Sequence, residues 1–270
     1  GLGLLSKGSF LAFLPAVTLL MLWVESRDRS LRRALLPCAK ALALCLALGS
    51  YKYLENILIL GTPLFHNLDR EPSWVLAQRG TIQGLSSFVD FDLVKLALHP
   101  TFSEKTRHSV PLLLYGSFWF KYIPEGRILV LGPSWRWIGG LIVLAAALPT
   151  ALLLSGCWVQ VRSGWSALRG NLTGNEQRRA VAGLFALGLL AGNLGIVLVA
   201  GVRYDAWSCF MSRLLMPSAA AAALALATGY EHWRISWPRG RNLAELSLWL
   251  LWALYLSYYL AELGLQRGWL

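Results

Sequence analysis

Charge is what this sequence has least of. Only 14% of its 270 residues are Asp, Glu, Lys or Arg, against about 25% in a soluble domain. That shortage excludes a globule facing water on all sides. Cysteine is scarce as well: Cys38, Cys45, Cys157 and Cys209 form no CxxC pair, and no HExxH spacing occurs. Metal sites of those spacings are therefore absent, and the four thiols read as small buried hydrophobes. The P-loop, the dinucleotide fingerprint and the GxSxG elbow are missing too. ATP-driven transport and serine hydrolysis thus lack a motif to carry them.

What fills the space is apolar. Hydrophobic residues make up 56% of the chain, and the mean hydropathy is +0.51. Apolar runs of about twenty residues cross a hydrocarbon core about 30 Å thick as helices. Six such spans are expected: Leu2–Val24, Ala34–Tyr51, Trp137–Val159, Ala180–Val202, Ala206–Tyr230 and Leu243–Leu263. The fold class is then all-α, a polytopic membrane helix bundle of about six transmembrane helices in one domain, residues 1–270. A long outer loop, Lys52–Arg136, joins the second and third spans. Pro37 and Lys40 make the second span the weakest of the six. Proline is tolerated inside membrane helices, so Pro37, Pro149 and Pro217 do not break the pattern.

The formal net charge is +11, a balance that elsewhere points to nucleic acid. Here eleven of the twenty-five basic residues fall in three short connectors. Arg27, Arg29, Arg32 and Arg33 lie in the first; Arg162, Arg169, Arg178 and Arg179 in the second; Arg234, Arg239 and Arg241 in the third. Six alternating spans put all three on one side, which the positive-inside rule makes cytoplasmic. No nucleic-acid partner is expected. The opposite side receives the long loop, the turn Arg203–Asp205 and the C-terminus. The sequon Asn171-Leu172-Thr173 falls on the cytoplasmic side and reads as chance.

The loop is too long for a bare connector and should carry structure. Asp90–Leu98 predicts a short helix started by Asp90 or Asp92 and stopped by Pro100. Leu112–Tyr122, with Tyr115, Phe118, Trp119, Phe120 and Tyr122, predicts a helix at the lipid–water boundary. Its rings suit stacking on a sugar, though interfacial anchoring is their commoner use. The alanine run Ala219–Ala223 suits close helix packing.

Besides Lys40 of the weak second span, two cations stand inside apolar runs: Lys7 and Arg213. Lys7 is about 25 Å from the cytoplasmic end of its span, and Arg213 about 12 Å in from the outer turn. Both therefore reach the non-cytoplasmic headgroup level. With Arg203 they form a candidate cluster for a lipid-borne phosphate. The plainer alternative is that each cation only snorkels to the interface. Asp90 and Asp92 are a closely spaced pair of carboxylates in the loop. They are weak catalytic candidates, able to share a proton or hold a divalent cation, and helix capping is the reading preferred for them. Glu55, Glu71, Glu104, Glu125, His66, His99 and His108 are scattered, and spacing singles out none.

The segment LLSKGSFLAFLPAVTLLML, with Ser-Lys ahead of a proline-bearing apolar helix, resembles a segment of the GT-C class of membrane glycosyltransferases. SRLLMPSAAAAALALATG resembles their later segment, with Arg213 and Pro217 in matching places and Leu214 where the family usually has Tyr. RHSVPLLLYGSFWFKYIPE resembles an outer-loop segment in bacterial relatives of the protein mannosyltransferases. The resemblance implies an integral protein of a bacterial inner membrane. It would move a sugar from a polyprenyl-phosphate carrier to an acceptor on the non-cytoplasmic face, with no certain cofactor. It also implies a catalytic Asp or Glu in a first outer loop ahead of Gly1. The chain opens inside an apolar run without initiator Met, basic n-region or cleavage site, so a fragment, inactive alone, is the expectation. Two other classes fit the same residues: a transporter or flippase for a lipid-linked or anionic substrate, and a non-catalytic membrane scaffold.

Overall fold

A computed structural model of the chain describes residues 14–28, 31–61, 78–100, 106–120, 136–170, 172–210 and 212–267. Every regular element among them is helical. In chain order they are α1 (Leu14–Asp28), α2 (Leu31–Leu60), α3 (Leu93–Leu98), α4 (Val110–Trp119), α5 (Arg136–Ala145), α6 (Ala147–Leu168), α7 (Gly174–Tyr204), α8 (Ala219–Ser236) and α9 (Pro238–Gln266). Three short 3-10 turns accompany them: Leu85–Phe88, Trp207–Phe210 and Ser212–Ser218.

Four helical stretches are long and apolar enough to cross a membrane: Arg136–Leu168, Gly174–Tyr204, Trp207–Ser236 and Pro238–Gly264. They contain the third to sixth expected spans. The second expected span lies within α2, where only Leu35–Leu44 forms a shorter apolar helix. The first lies partly outside the described residues. Only 22% of the most apolar window of α7, and likewise of α9, is buried by protein. Val199, Trp249 and Leu246 are each at least 65% exposed. An apolar surface this extensive calls for lipid rather than water around it.

Sequence explains the breaks. Pro149 has no N–H to offer the Ala145 carbonyl, and the third span divides there into α5 and α6. Pro238 takes the first position of α9, where a missing N–H costs nothing, and α8 stops at Ser236. The α6 helix ends at Leu168, and Gly170 follows with φ +79°, the left-handed stop that glycine adopts most easily.

The tightest crossing is between α6 and α8. A Cβ on Gly156 would strike the Ala225 carbonyl, and one on Gly229 would strike the Leu152 carbonyl. The backbones touch because these positions carry no side chain, a packing mode suited to helices without a hydrophobic drive between them. The alanines of α8 contribute Ala221, Ala222 and Ala225 to buried positions.

A second kind of core lies at the opposite end. Leu96, Leu112, Leu113, Ile142, Val143 and Phe210 are fully buried in one cluster, with Tyr258 and Ala261 of α9 at its edge. It joins the loop helices α3 and α4 to α5, the turn Trp207–Phe210 and the end of α9. Gly140 admits the approach of α3, since a Cβ there would meet the Ala97 carbonyl.

Three expectations are corrected. The expected boundary helix is α4, and it is packed inside: Val110, Leu112, Leu113, Tyr115 and Gly116 are all buried. Its apolar side meets α5 and the 207–218 segment rather than bulk lipid. The expected span Ala206–Tyr230 is α-helical only from Ala219, its outer half being 3-10 turns. The loop also starts later than Lys52, because α2 runs on to Leu60.

Candidate functional site

The outer half of the fifth expected span follows 3-10 turns rather than an α-helix, and it carries Arg213. Backbone groups that leave a regular helix inside a membrane need other partners. Here side chains supply them. The Ser212 N–H donates to Ser117 Oγ of α4 at 2.8 Å, and Ser117 Oγ donates onward to the Leu113 carbonyl at 2.6 Å. Asn193 of α7 is 1% exposed and donates through Nδ2 to Ser218 Oγ at 3.1 Å. Ser218 Oγ in turn donates to the Leu215 carbonyl at 2.8 Å. The turn bearing Arg213 is thus pinned between the loop helix α4 and the long helix α7.

Asp205 anchors the same segment from its other end. It closes α7 in the left-handed region, φ 45° and ψ 43°, which Asp tolerates better than most residues. Its carboxylate accepts from the backbone N–H of Ile82 at 2.8 Å and of Gly80 at 3.0 Å, and from Thr81 Oγ1 at 3.3 Å. One side chain therefore fastens the loop to the membrane end of α7. Sequence reasoning passed over Asp205 as part of a short turn. The signal was there: an acid directly after a helix and before an apolar run.

The loop helix is stitched to the break at Pro149 as well. Tyr115 donates its hydroxyl to the Val143 carbonyl at 2.7 Å, and Trp119 Nε1 donates to Thr150 Oγ1, also at 2.7 Å. Burial pushes the Tyr115 phenol up to about 12, against a smaller opposing pull from its contact with Thr150, so at neutral pH it remains a donor. Beside these bonds Ser117, Phe118, Trp119 and Phe120 meet Tyr255 and Tyr259 of α9 around an open recess of about 430 Å³. Phe118 and Trp119 meet edge to face at 4.9 Å, Phe120 and Tyr258 at 5.3 Å.

No family model, curated protein or solved structure matches this chain. The site is read from its own geometry.

The residues expected from sequence fall as follows. Arg203 is exposed at the end of α7, its guanidinium 5.3 Å from the ring of Tyr204. The backbone of Arg213 lies in the 3-10 turn Ser212–Ser218, eight residues past Asp205. Lys7 lies outside the described residues, as do His66, Glu71, Glu104 and Glu125. Asp92 caps α3, its Oδ1 accepting from the Lys95 N–H at 2.9 Å. Asp90 Oδ2 faces His108 Nε2 at 3.8 Å, and its carbonyl accepts from Ser109 Oγ. Among the described residues no group of three His, Cys, Asp or Glu side chains converges as a metal site. Cys38 and Cys157 are free thiols.

Proposed function

We propose that this chain belongs to a membrane glycosyltransferase of GT-C type. It transfers a sugar from a polyprenyl-phosphate carrier to an acceptor on the non-cytoplasmic side. Six spans cross the membrane in this reading, with the basic connectors cytoplasmic and the loop helices α3 and α4 outside. The observation that carries the proposal is the pinned, irregular turn bearing Arg213, set against an aromatic recess at one end of the bundle. It puts a fixed cation-bearing backbone and ring surfaces on adjacent elements.

The chemistry is substitution at an anomeric carbon. An acceptor nucleophile forms a new bond to that carbon as its bond to the phosphate oxygen breaks. A general base takes the acceptor's proton, and polyprenyl phosphate leaves. Arg213, Arg203 and Lys7 stabilise the negative charge that grows on the leaving phosphate, Arg through its planar fork and Lys as a point charge. The aromatic recess offers ring faces to the apolar face of a sugar.

Replacing Arg213 by Ala in the full-length protein tests the role. Turnover from a polyprenyl-phosphate sugar should fall roughly a hundredfold, the scale of one lost charge-stabilising donor, with the thermal midpoint unchanged. Unchanged turnover at saturating donor would remove Arg213 from the mechanism.

A transporter or flippase is the second reading, favoured by the same interrupted span, since broken helices mark substrate sites in carriers. Reconstituted vesicles separate the two. Movement of a labelled lipid-linked sugar across the bilayer without transfer to an acceptor supports the carrier and counts against the enzyme.

A further inference from the structure

At the opposite end of the bundle, α6, α7 and α8 enclose a cleft of about 540 Å³ that the proposed transfer does not use. Gln160, Ser163, Glu176, Arg179, Leu224 and Thr228 are among its walls. Gln160 lies eight residues before the end of α6, about 12 Å along the helix. That depth is near the boundary between the hydrocarbon and the basic connector.

Gln160 is 5% exposed, and its amide is only half satisfied. Nε2 donates to Thr228 Oγ1 at 3.1 Å. Thr228 gives its single hydroxyl proton to the Leu224 carbonyl at 2.8 Å, so it has only lone pairs left for Gln160. The amide orientation is therefore fixed, and Gln160 Oε1 is left with no hydrogen-bond partner. A buried acceptor in that state bears its full desolvation penalty until a donor arrives. Two opposite charges stand at the mouth, Glu176 and Arg179, both exposed and without an ion pair between them. The remaining wall is apolar: Val159, Leu172, Ala180 and Leu224.

These groups ask for a particular chemistry. Arg179 suits a phosphate, and Glu176 suits a cation. Gln160 Oε1 requires an N–H or O–H, and the apolar wall suits a hydrocarbon chain beside the headgroup. We propose that the cleft is the headgroup site of a membrane phospholipid bearing a primary ammonium, of the phosphatidylethanolamine kind. A choline headgroup supplies phosphate and positive charge but no N–H for Gln160. A glycerol headgroup supplies O–H and phosphate but no cation for Glu176. Of these three headgroups, only the ammonium phospholipid offers a partner to Gln160, Glu176 and Arg179 together. The site rests on membrane placement alone and does not depend on the transferase reading.

Native mass spectrometry of the purified full chain in detergent tests it. The probes are dilauroyl-phosphatidylethanolamine, -phosphatidylcholine and -phosphatidylglycerol, with glycerophosphoethanolamine as the chain-free competitor. The ethanolamine lipid should be held about tenfold more tightly than the choline lipid, the scale of one charge-assisted hydrogen bond. Gln160→Leu should abolish that preference. Arg179→Ala, at an exposed position that cannot upset folding, should weaken both phosphatidylethanolamine and phosphatidylglycerol. Equal retention of all three lipids, or a preference that survives Gln160→Leu, overturns the proposal. So does competition by glycerophosphoethanolamine at the lipid's own concentration, which would make the ligand a soluble headgroup compound.

Discussion

The two ends of the bundle are built by different means. At the loop end, regular helix gives way to 3-10 turns, and side chains take over the backbone's hydrogen bonds: Ser117 for Ser212, Ser218 for Leu215, Asp205 for Gly80 and Ile82. At the connector end, α6, α7 and α8 run on as unbroken helices and meet through glycines. The first end is specified by polar groups in fixed places, the second by the absence of side chains. Irregular backbone held by side chains sets out charges and rings at chosen positions, which suits chemistry. Close helix packing gives rigidity, and leaves a cleft where the third helix cannot follow.

Substitutions that attack each end on its own terms should separate them. The largest effect is expected at the glycine crossing. Gly229→Leu drives a side chain into the Leu152 carbonyl and should cost about 3 kcal/mol or more. It should appear as a large drop in the thermal midpoint in detergent, with loss of the 540 Å³ cleft. Asp205→Ala comes next. It strips the hydrogen bonds holding Gly80, Thr81 and Ile82 and leaves a non-glycine residue at positive φ. About 2–3 kcal/mol is expected, and hydrogen exchange should rise around residues 78–84 while α6 and α8 stay protected. Exchange rising equally in α6 and α8 would show that the two ends are not separate. Trp119→Phe is the mildest test. It keeps the ring and removes the bond to Thr150, for about 1 kcal/mol, and should loosen α4 without touching the connector end.

Much of this contrast is already written in the residues, though unevenly. Apolar length marks four crossing stretches, because one helix of twenty apolar residues leaves little other choice in a bilayer. Asp92 is legible as a cap from its place just before Leu93–Leu98. The burial of α4 is not legible. Val110–Trp119 is apolar on every side, and such a pattern fits a lipid boundary and a protein core equally well. The 3-10 path of Ser212–Ser218 is hidden for a related reason. Its composition matches a regular span, and the partners that permit another path, Ser117 and Asn193, lie far away in sequence. Gln160 is likewise hidden, since its unmet acceptor emerges only once Thr228 is fixed against Leu224.

The division of labour requires the two ends to face opposite sides of one membrane. Single cysteines placed at Ser86 in the loop and Thr173 in the α6–α7 connector, both exposed, measure this directly. The native cysteines are first replaced by alanine, and intact cells are treated with a membrane-impermeant maleimide. Labelling of Ser86→Cys in intact cells, with Thr173→Cys reacting only after permeabilisation, is the predicted result. Labelling of both positions from the same side, or of Thr173→Cys alone, would contradict the orientation on which the proposed transferase reading depends.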